Sequence, residues 1–215
     1  MNIVGIDLAG PSNLRDTHLT AWRVVDGRLL QQCSLFGLND LHIAALVSEL
    51  AAQAATVVGL DAPLSYNLGG GDRPADAALR RRIVAVGMRS GSVMTPTMMR
   101  MVYLTLRGVA LARTLMSLQC TFPIRIVEVH PGATLGLGGA PPAAVLSFKR
   151  DPVARLELLE WLRTQGLEGN PTAAALLDHE VAAWAAALAA WRWYNGDSVW
   201  CYPAQPPHHP FDFAC

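Results

Sequence analysis

The sequence predicts an α/β fold, a mixed sheet flanked by helices, and three observations predict it. The first is a repeated pattern: Ile3-Val4-Gly5-Ile6-Asp7 returns as Val57-Val58-Gly59-Leu60-Asp61. Each copy is a short, continuously apolar run, which suits a strand covered on both faces. The second is a helical apolar stripe between the copies, Ile43, Leu46, Val47, Leu50 and Ala54. A strand, a helix and a matching strand set the two copies parallel through a right-handed crossover. The third is Asp26-Gly27, a two-residue hairpin signal between Thr17–Val25 and Arg28–Phe36. With the first copy, these two runs make a three-stranded antiparallel meander.

The elements follow in order. Gly10-Pro11-Ser12-Asn13 is a turn by composition, and Asn39 offers an N-cap to the first helix, with Asp40 in its first turn. From Ser65 the pattern lapses into an insertion over about residues 65–95. It holds the glycine-rich loop Asn67 to Pro74 and a short arginine-rich helix from Asp76 to Val86. Thr95-Pro96 supplies a cap and a first-turn proline for a long helix carrying Met98, Met99, Met101 and Val102 towards Leu115. Ile124 to Val129 is a third strand-like run, ended by Pro131-Gly132. Residues 136–150 read as irregular, and Val153 to Gln165 as amphipathic helix. Asn170-Pro171 opens an alanine-rich helical stretch through Asp178 to Tyr194, which Asn195-Gly196 stops. The tail, residues 197–215, is rich in proline and reads as extended cover for the core.

A chain of 215 residues predicts one domain with a real core. Hydrophobic residues at 52% against 16% charged exclude a disordered chain. No apolar run approaches the ~18 residues of a membrane helix, so no membrane partner is expected. The N-terminus enters a strand with no basic segment before it, so no signal peptide is expected. Cys33, Cys120, Cys201 and Cys215 form no CxxC, which favours reduced thiols and a cytoplasmic location. Net charge is zero, yet residues 72 to 125 carry nine arginines against two aspartates. Lys149 is the only lysine in the chain. Such a block permits an anionic ligand without a basic chain overall.

Asp7 and Asp61 break their apolar strands in the same way, and a carboxylate there is costly unless something compensates it. Parallel neighbours would bring both to the carboxyl edge of the sheet, where α/β ligands collect. Two such carboxylates repel unless they share a cation, and Mg²⁺ or Mn²⁺ suits carboxylate and water oxygens. Gly5 and Gly59, two residues earlier on the same face, allow a close approach by backbone or ligand. Glu128, in the third strand run, and Asp178, before the alanine-rich face of Ala182, Ala185 and Ala189, are further candidates. His130 and His179 adjoin candidate acids, where a hydrogen-bonded structural histidine is the commoner outcome. Gly69-Gly70-Gly71 lacks the Lys-Ser/Thr of a phosphate-binding P-loop.

Taken together, Val-Gly-Ile-Asp-Leu-Ala-Gly, Val-Gly-Leu-Asp-Ala-Pro-Leu-Ser, Arg73-Pro-Ala-Asp76-Ala-Ala-Leu-Arg80, Val127-Glu128-Val-His-Pro131-Gly-Ala-Thr and Asp178 occur in an order that resembles the domain of unknown function 429 family. The resemblance covers about residues 3–195. It implies a ribonuclease-H-like fold and a metal-dependent nuclease core, with Asp7, Asp61, Glu128 and Asp178 as catalytic and metal-ligating acids. His179-Glu180 after Asp178 departs from the small residue more usual there. On this reading the substrate is DNA or RNA, and Arg73, Arg80 and Arg100 hold its phosphates, since arginine contacts phosphate in bidentate fashion. Two rival readings stand beside it. One is a nucleotide-binding protein of the actin-like or sugar-kinase type; the other is a nucleic-acid-binding module without catalysis.

Overall fold

The computed structural model describes residues 1–171 and 177–215. β1 (Asn2–Asp7), β2 (His18–Val25) and β3 (Arg28–Phe36) form the antiparallel meander. Asp26 and Gly27 turn it with φ of 48° and 72°, the two left-handed residues that a tight hairpin needs. α1 (Asp40–Gln53) begins at Asn39, whose side-chain oxygen accepts the His42 amide at 2.9 Å. The chain returns as β4 (Thr56–Asp61), parallel to β1 and in register from Asn2 opposite Thr56 to Asp7 opposite Asp61. β5 (Ile124–Val129) lies parallel to β4 on its other side.

Short strands complete the sheet: β6 (Leu167–Glu168), β7 (Cys201–Tyr202) and β8 (Phe213–Ala214). The eight strands run in the order β6-β3-β2-β1-β4-β5-β8-β7. The tail expected as extended cover therefore extends the sheet, with β8 parallel to β5 and β7 antiparallel to β8. Strands of two residues have too little length to show a period, so the sequence could not announce them.

Helices cover both faces. α1 and α3 (Val102–Ser117) enclose one core with Val4, Ile6, Val58 and Leu60. On the other face lie α4 (Pro131–Leu137), α5 (Pro142–Ser147), α6 (Pro152–Thr164) and α7 (Asp178–Asn195), around Ile3, Trp22, Val57 and Val127. α2 (Pro74–Ala85) sits over a third cluster with Phe213 and Cys215. No helix among the described residues is long and apolar enough to cross a membrane. All four cysteines are free.

Three boundaries differ from expectation. Thr95-Pro96 does not open the long helix, which starts at Val102; Thr95 donates its hydroxyl to Asp72 instead, and Met98 and Met99 are exposed. Residues 136–150 hold α5 and the end of α4, whose prolines at the first helical positions start helices instead of breaking them. The last helix starts at Asp178, with Leu177 extended before it; the expected helix over residues 172–176 lies outside the described residues.

α7 lies directly on the central strands. A Cβ on Gly5 would sit 2.0 Å from the Ala183 carbonyl oxygen, and one on Gly59 would sit 2.5 Å from that of Ala186. The glycines exist to admit the helix backbone, and Ala183, Ala186, Ala187 and Ala190 are the small residues that meet them. This contact fixes where the first turn of α7 meets the ends of β1 and β4.

Candidate functional site

The alternation along β1 and β4 sends Ile3, Gly5 and Asp7, and likewise Val57, Gly59 and Asp61, to the face that α7 covers. Asp7 and Asp61 are register partners on adjacent parallel strands, and each keeps partial solvent access. Burial, then the carboxylate of Asp7 beside it, pushes the Asp61 carboxyl well above its ordinary range. A pair of this kind holds one proton or recruits a cation.

The first turn of α7 adds the rest of the cluster. His179 Nδ1 lies 2.6 Å from Asp7 Oδ2, while its Nε2 lies 3.9 Å from Asp16 and 4.0 Å from Asp178. Both ring nitrogens therefore face carboxylates. The hydrogen bond to Asp7, with the charges of Asp7, Asp178 and Asp16, raises the His179 pKa against the opposing effect of burial. The three carboxylates thus favour the protonated form of the ring, whose charge offsets theirs. Neither His179 nor Asp16 carries a sequence pattern that marks it as functional. Asp16 lies in a one-turn 3-10 helix, Leu14–Asp16, and only folding brings it to α7.

Behind the cluster lies a second polar chain. His18 is the register partner of Asp7 across the antiparallel pair. It shares a 2.8 Å hydrogen bond with the Ser34 hydroxyl, which donates to buried Glu180 at 3.0 Å. Because Ser34 gives its proton to Glu180, it accepts from His18 Nε2, so neutral His18 leaves Nδ1 bare. Burial holds His18 neutral, lowering its pKa to about 4.

Glu128 goes elsewhere. It faces the opposite side of β5 from Val127 and Val129, and both its oxygens are committed. One accepts Arg73 Nη2 at 2.5 Å; the other accepts Arg73 Nη1 at 2.8 Å and the Leu64 amide at 2.9 Å. Arg73 is 4% exposed and spends its remaining N–H groups on Asp76 and Ser65. All five donors of the guanidinium are thereby used within the protein. Glu128 and Asp76 hold that charge in place although burial works against it. Arg73 and Glu128 thus form a buried clamp between the insertion and β5, and the structure brings neither to the Asp7 cluster as a free ligand or phosphate donor.

Arg80 is paired too, with both oxygens of Asp72 and with the Val93 carbonyl at 2.9 Å. The hydrogen bonds from Arg80 and Thr95 hold the Asp72 carboxyl down at about 2. Arg100 is exposed, and no carboxylate pairs with it among the described residues. His130 caps α4 through Nδ1 and meets the Ser92 carbonyl through Nε2, a structural histidine as expected. Asp178 stands at the first position of α7, next to the Asp7–His179 pair.

Among the described residues no three His, Cys, Asp or Glu side chains converge as a ready-made cage for an ion. The donor set that remains, Asp7 and Asp61 with Asp178 close by, suits a cation held by one or two carboxylates, with water and phosphate filling its other positions.

Compared with known proteins, the chain matches over residues 5–208 the family described as "Protein of unknown function (DUF429)". No curated protein and no solved structure matches it.

Proposed function

The chain belongs to the DUF429 family, and from that premise we propose that it is a metal-dependent nuclease that hydrolyses phosphodiester bonds in DNA or RNA. One observation carries the reading: Asp7 and Asp61 stand in register at the carboxyl ends of adjacent parallel strands, with the first turn of α7 against them. We take the fold to be ribonuclease-H-like; the antiparallel β1–β3 meander continued by parallel β4 and β5 supports that assignment. Four free thiols support a cytoplasmic location.

In this reading Asp7 and Asp61 hold Mg²⁺ or Mn²⁺, and Asp178 contributes from the helix. A bound divalent ion supplies an activated water and offsets charge on the phosphate. The residues do the remainder. Asp7 and Asp61 gain a partner for the charge that now raises the Asp61 pKa. His179, whose Nδ1 faces Asp7, would be the residue placed to exchange a proton with water or a leaving oxygen. Arg100 is the exposed cation among the three arginines expected to meet phosphate; Arg73 and Arg80 hold the insertion in place instead.

The test is a cleavage panel over single- and double-stranded DNA, RNA and hybrids, with and without Mg²⁺ or Mn²⁺. Asp7→Asn serves as the control. Metal-dependent cleavage lost in the variant supports the reading. Binding of ATP with no cleavage of any nucleic acid favours the nucleotide-binding alternative.

A further inference from the structure

The carboxyl edge of the sheet is built from three loops tied together beside the acids. The loop after Asp61 meets α3 at Gly108, where a Cβ would sit 2.8 Å from Ala62 Cβ and 2.9 Å from the Pro63 carbonyl. Thr95 bonds Asp72, and Thr105 donates to the Pro96 carbonyl at 2.9 Å, which binds residues 95–101 to both neighbours. Arg107 then reaches from α3 to the loop after Asp7, donating to the Ala9 carbonyl at 2.6 Å and the Thr17 hydroxyl at 2.7 Å. These contacts join the loops that follow Asp7 and Asp61 to the start of α3 as one rim.

The rim exposes large flat and flexible side chains instead of hiding them. Tyr66 is 52% exposed, Tyr103 65% and Met99 91%. Core packing does not account for them, and Met99 stands almost wholly in solvent. Arg100 is exposed between Met99 and the start of α3. From Ala77 to Val127 the chain contains eight arginines and no acid. Arg80 and Arg107 are satisfied within the protein, whereas Arg89 and Arg100 meet no carboxylate among the described residues. Exposed aromatic faces on these loops, with exposed guanidinium groups that no carboxylate pairs among the described residues, match the two parts of a single strand, unstacked bases and phosphates.

We propose that this rim is a stacking platform that selects single-stranded nucleic acid, with Tyr66 and Tyr103 against bases and Arg100 on the backbone. The proposal rests on the nuclease reading and adds its substrate class. A duplex keeps its bases stacked inside and offers the tyrosines nothing to face. A single strand, DNA or RNA, presents every base.

The test uses the Asp7→Asn protein, so that no probe is cut, and labelled DNA and RNA oligonucleotides of about 16 nucleotides, the upper end of a typical single-strand site. Each is offered as a single strand and as a duplex, and binding is followed by fluorescence polarisation. Single strands of one or both sugars should bind at least about tenfold tighter than duplex. Tyr66→Ala and Tyr103→Ala should each weaken that binding by about 5- to 150-fold, the worth of one base stack. Arg100→Ala should lower the salt slope by about 0.7, one phosphate contact on a single strand. Duplex bound as tightly as single strand, or tyrosine variants that bind like the parent, overturns the platform and leaves the nuclease reading standing. No binding to any nucleic acid removes both. Sedimentation of the protein alone covers the other occupant: a dimer lost in Tyr103→Ala assigns the rim to a second copy and overturns the proposal.

Discussion

His179 Nδ1 and Asp7 Oδ2 lie 2.6 Å apart, joining the first turn of α7 to the last residue of β1. The pair raises the His179 pKa, chiefly through that hydrogen bond. A histidine whose folded pKa exceeds its unfolded value of about 6.5 contributes stability that is fully present below that value. The contribution is lost as pH rises through the folded pKa. Thermal unfolding of the metal-free protein across this window should therefore show a falling component that His179→Gln removes. Since metal and the imidazolium proton compete for Asp7, Mn²⁺ affinity of the parent should also rise with pH, more steeply than that of His179→Gln.

His18 runs the other way. Its pKa is lowered by burial to about 4, so its contribution is present above the unfolded value of about 6.5 and lost as pH falls towards about 4. Full expression of that shift is worth about 3 kcal/mol. Denaturant titrations between these limits should find the parent losing stability on acidification, and His18→Gln losing less.

Much of this architecture is legible in the chain because it rests on local chemistry. Asp26-Gly27 states its hairpin, Asn39 its cap and Gly196 its helix end, each through a conformation that few residues supply. The apolar–Val–Gly–apolar–Asp pattern shows both central strands and both principal acids. It does not show what occupies the space over Gly5 and Gly59, because that depends on a helix whose meeting point with Gly5 lies 178 residues further along, at Ala183. Glu128 fails as a free acid for the same reason. Its strand position is readable, but its partner Arg73 is 55 residues away, and sequence does not say which arginine turns inward. Thr95 has every property of an N-cap and is diverted by Asp72, a tertiary contact overriding a local preference.

The clamp yields a prediction that separates structure from chemistry. Arg73→Ala leaves Glu128 and Asp76 buried without their cation and should destabilise the fold by about 3–5 kcal/mol. Glu128→Gln, nearly isosteric, should also destabilise but leave Mn²⁺ affinity unchanged in the protein that remains folded. Calorimetry on that folded fraction checks it; a clear loss of affinity would return Glu128 to the metal site.

Gly5→Ala drives a methyl group into α7 backbone, 2.0 Å from the Ala183 oxygen and 2.4 Å from the Ala187 nitrogen. Neither atom is on a flexible side chain, so the helix must move. Overpacking of this kind costs about 1–3 kcal/mol or more. The displaced helix should also loosen the His179–Asp7 contact, seen as a His179 imidazole resonance that titrates nearer the ordinary histidine value.

The most direct measurement is calorimetric titration of Mn²⁺ into the folded parent, Asp7→Asn and Asp61→Asn, with melting temperature followed alongside. If the two aspartates form a metal centre, the parent binds and its melting temperature rises with Mn²⁺ by mass action. Both variants then stay folded and bind weakly or not at all. Metal-free Asp61→Asn melts no lower than the parent, since it relieves repulsion between the two carboxylates. A folded parent that takes up no Mn²⁺, or an Asp61→Asn protein that unfolds, would contradict the account and make the pair a structural feature of the sheet.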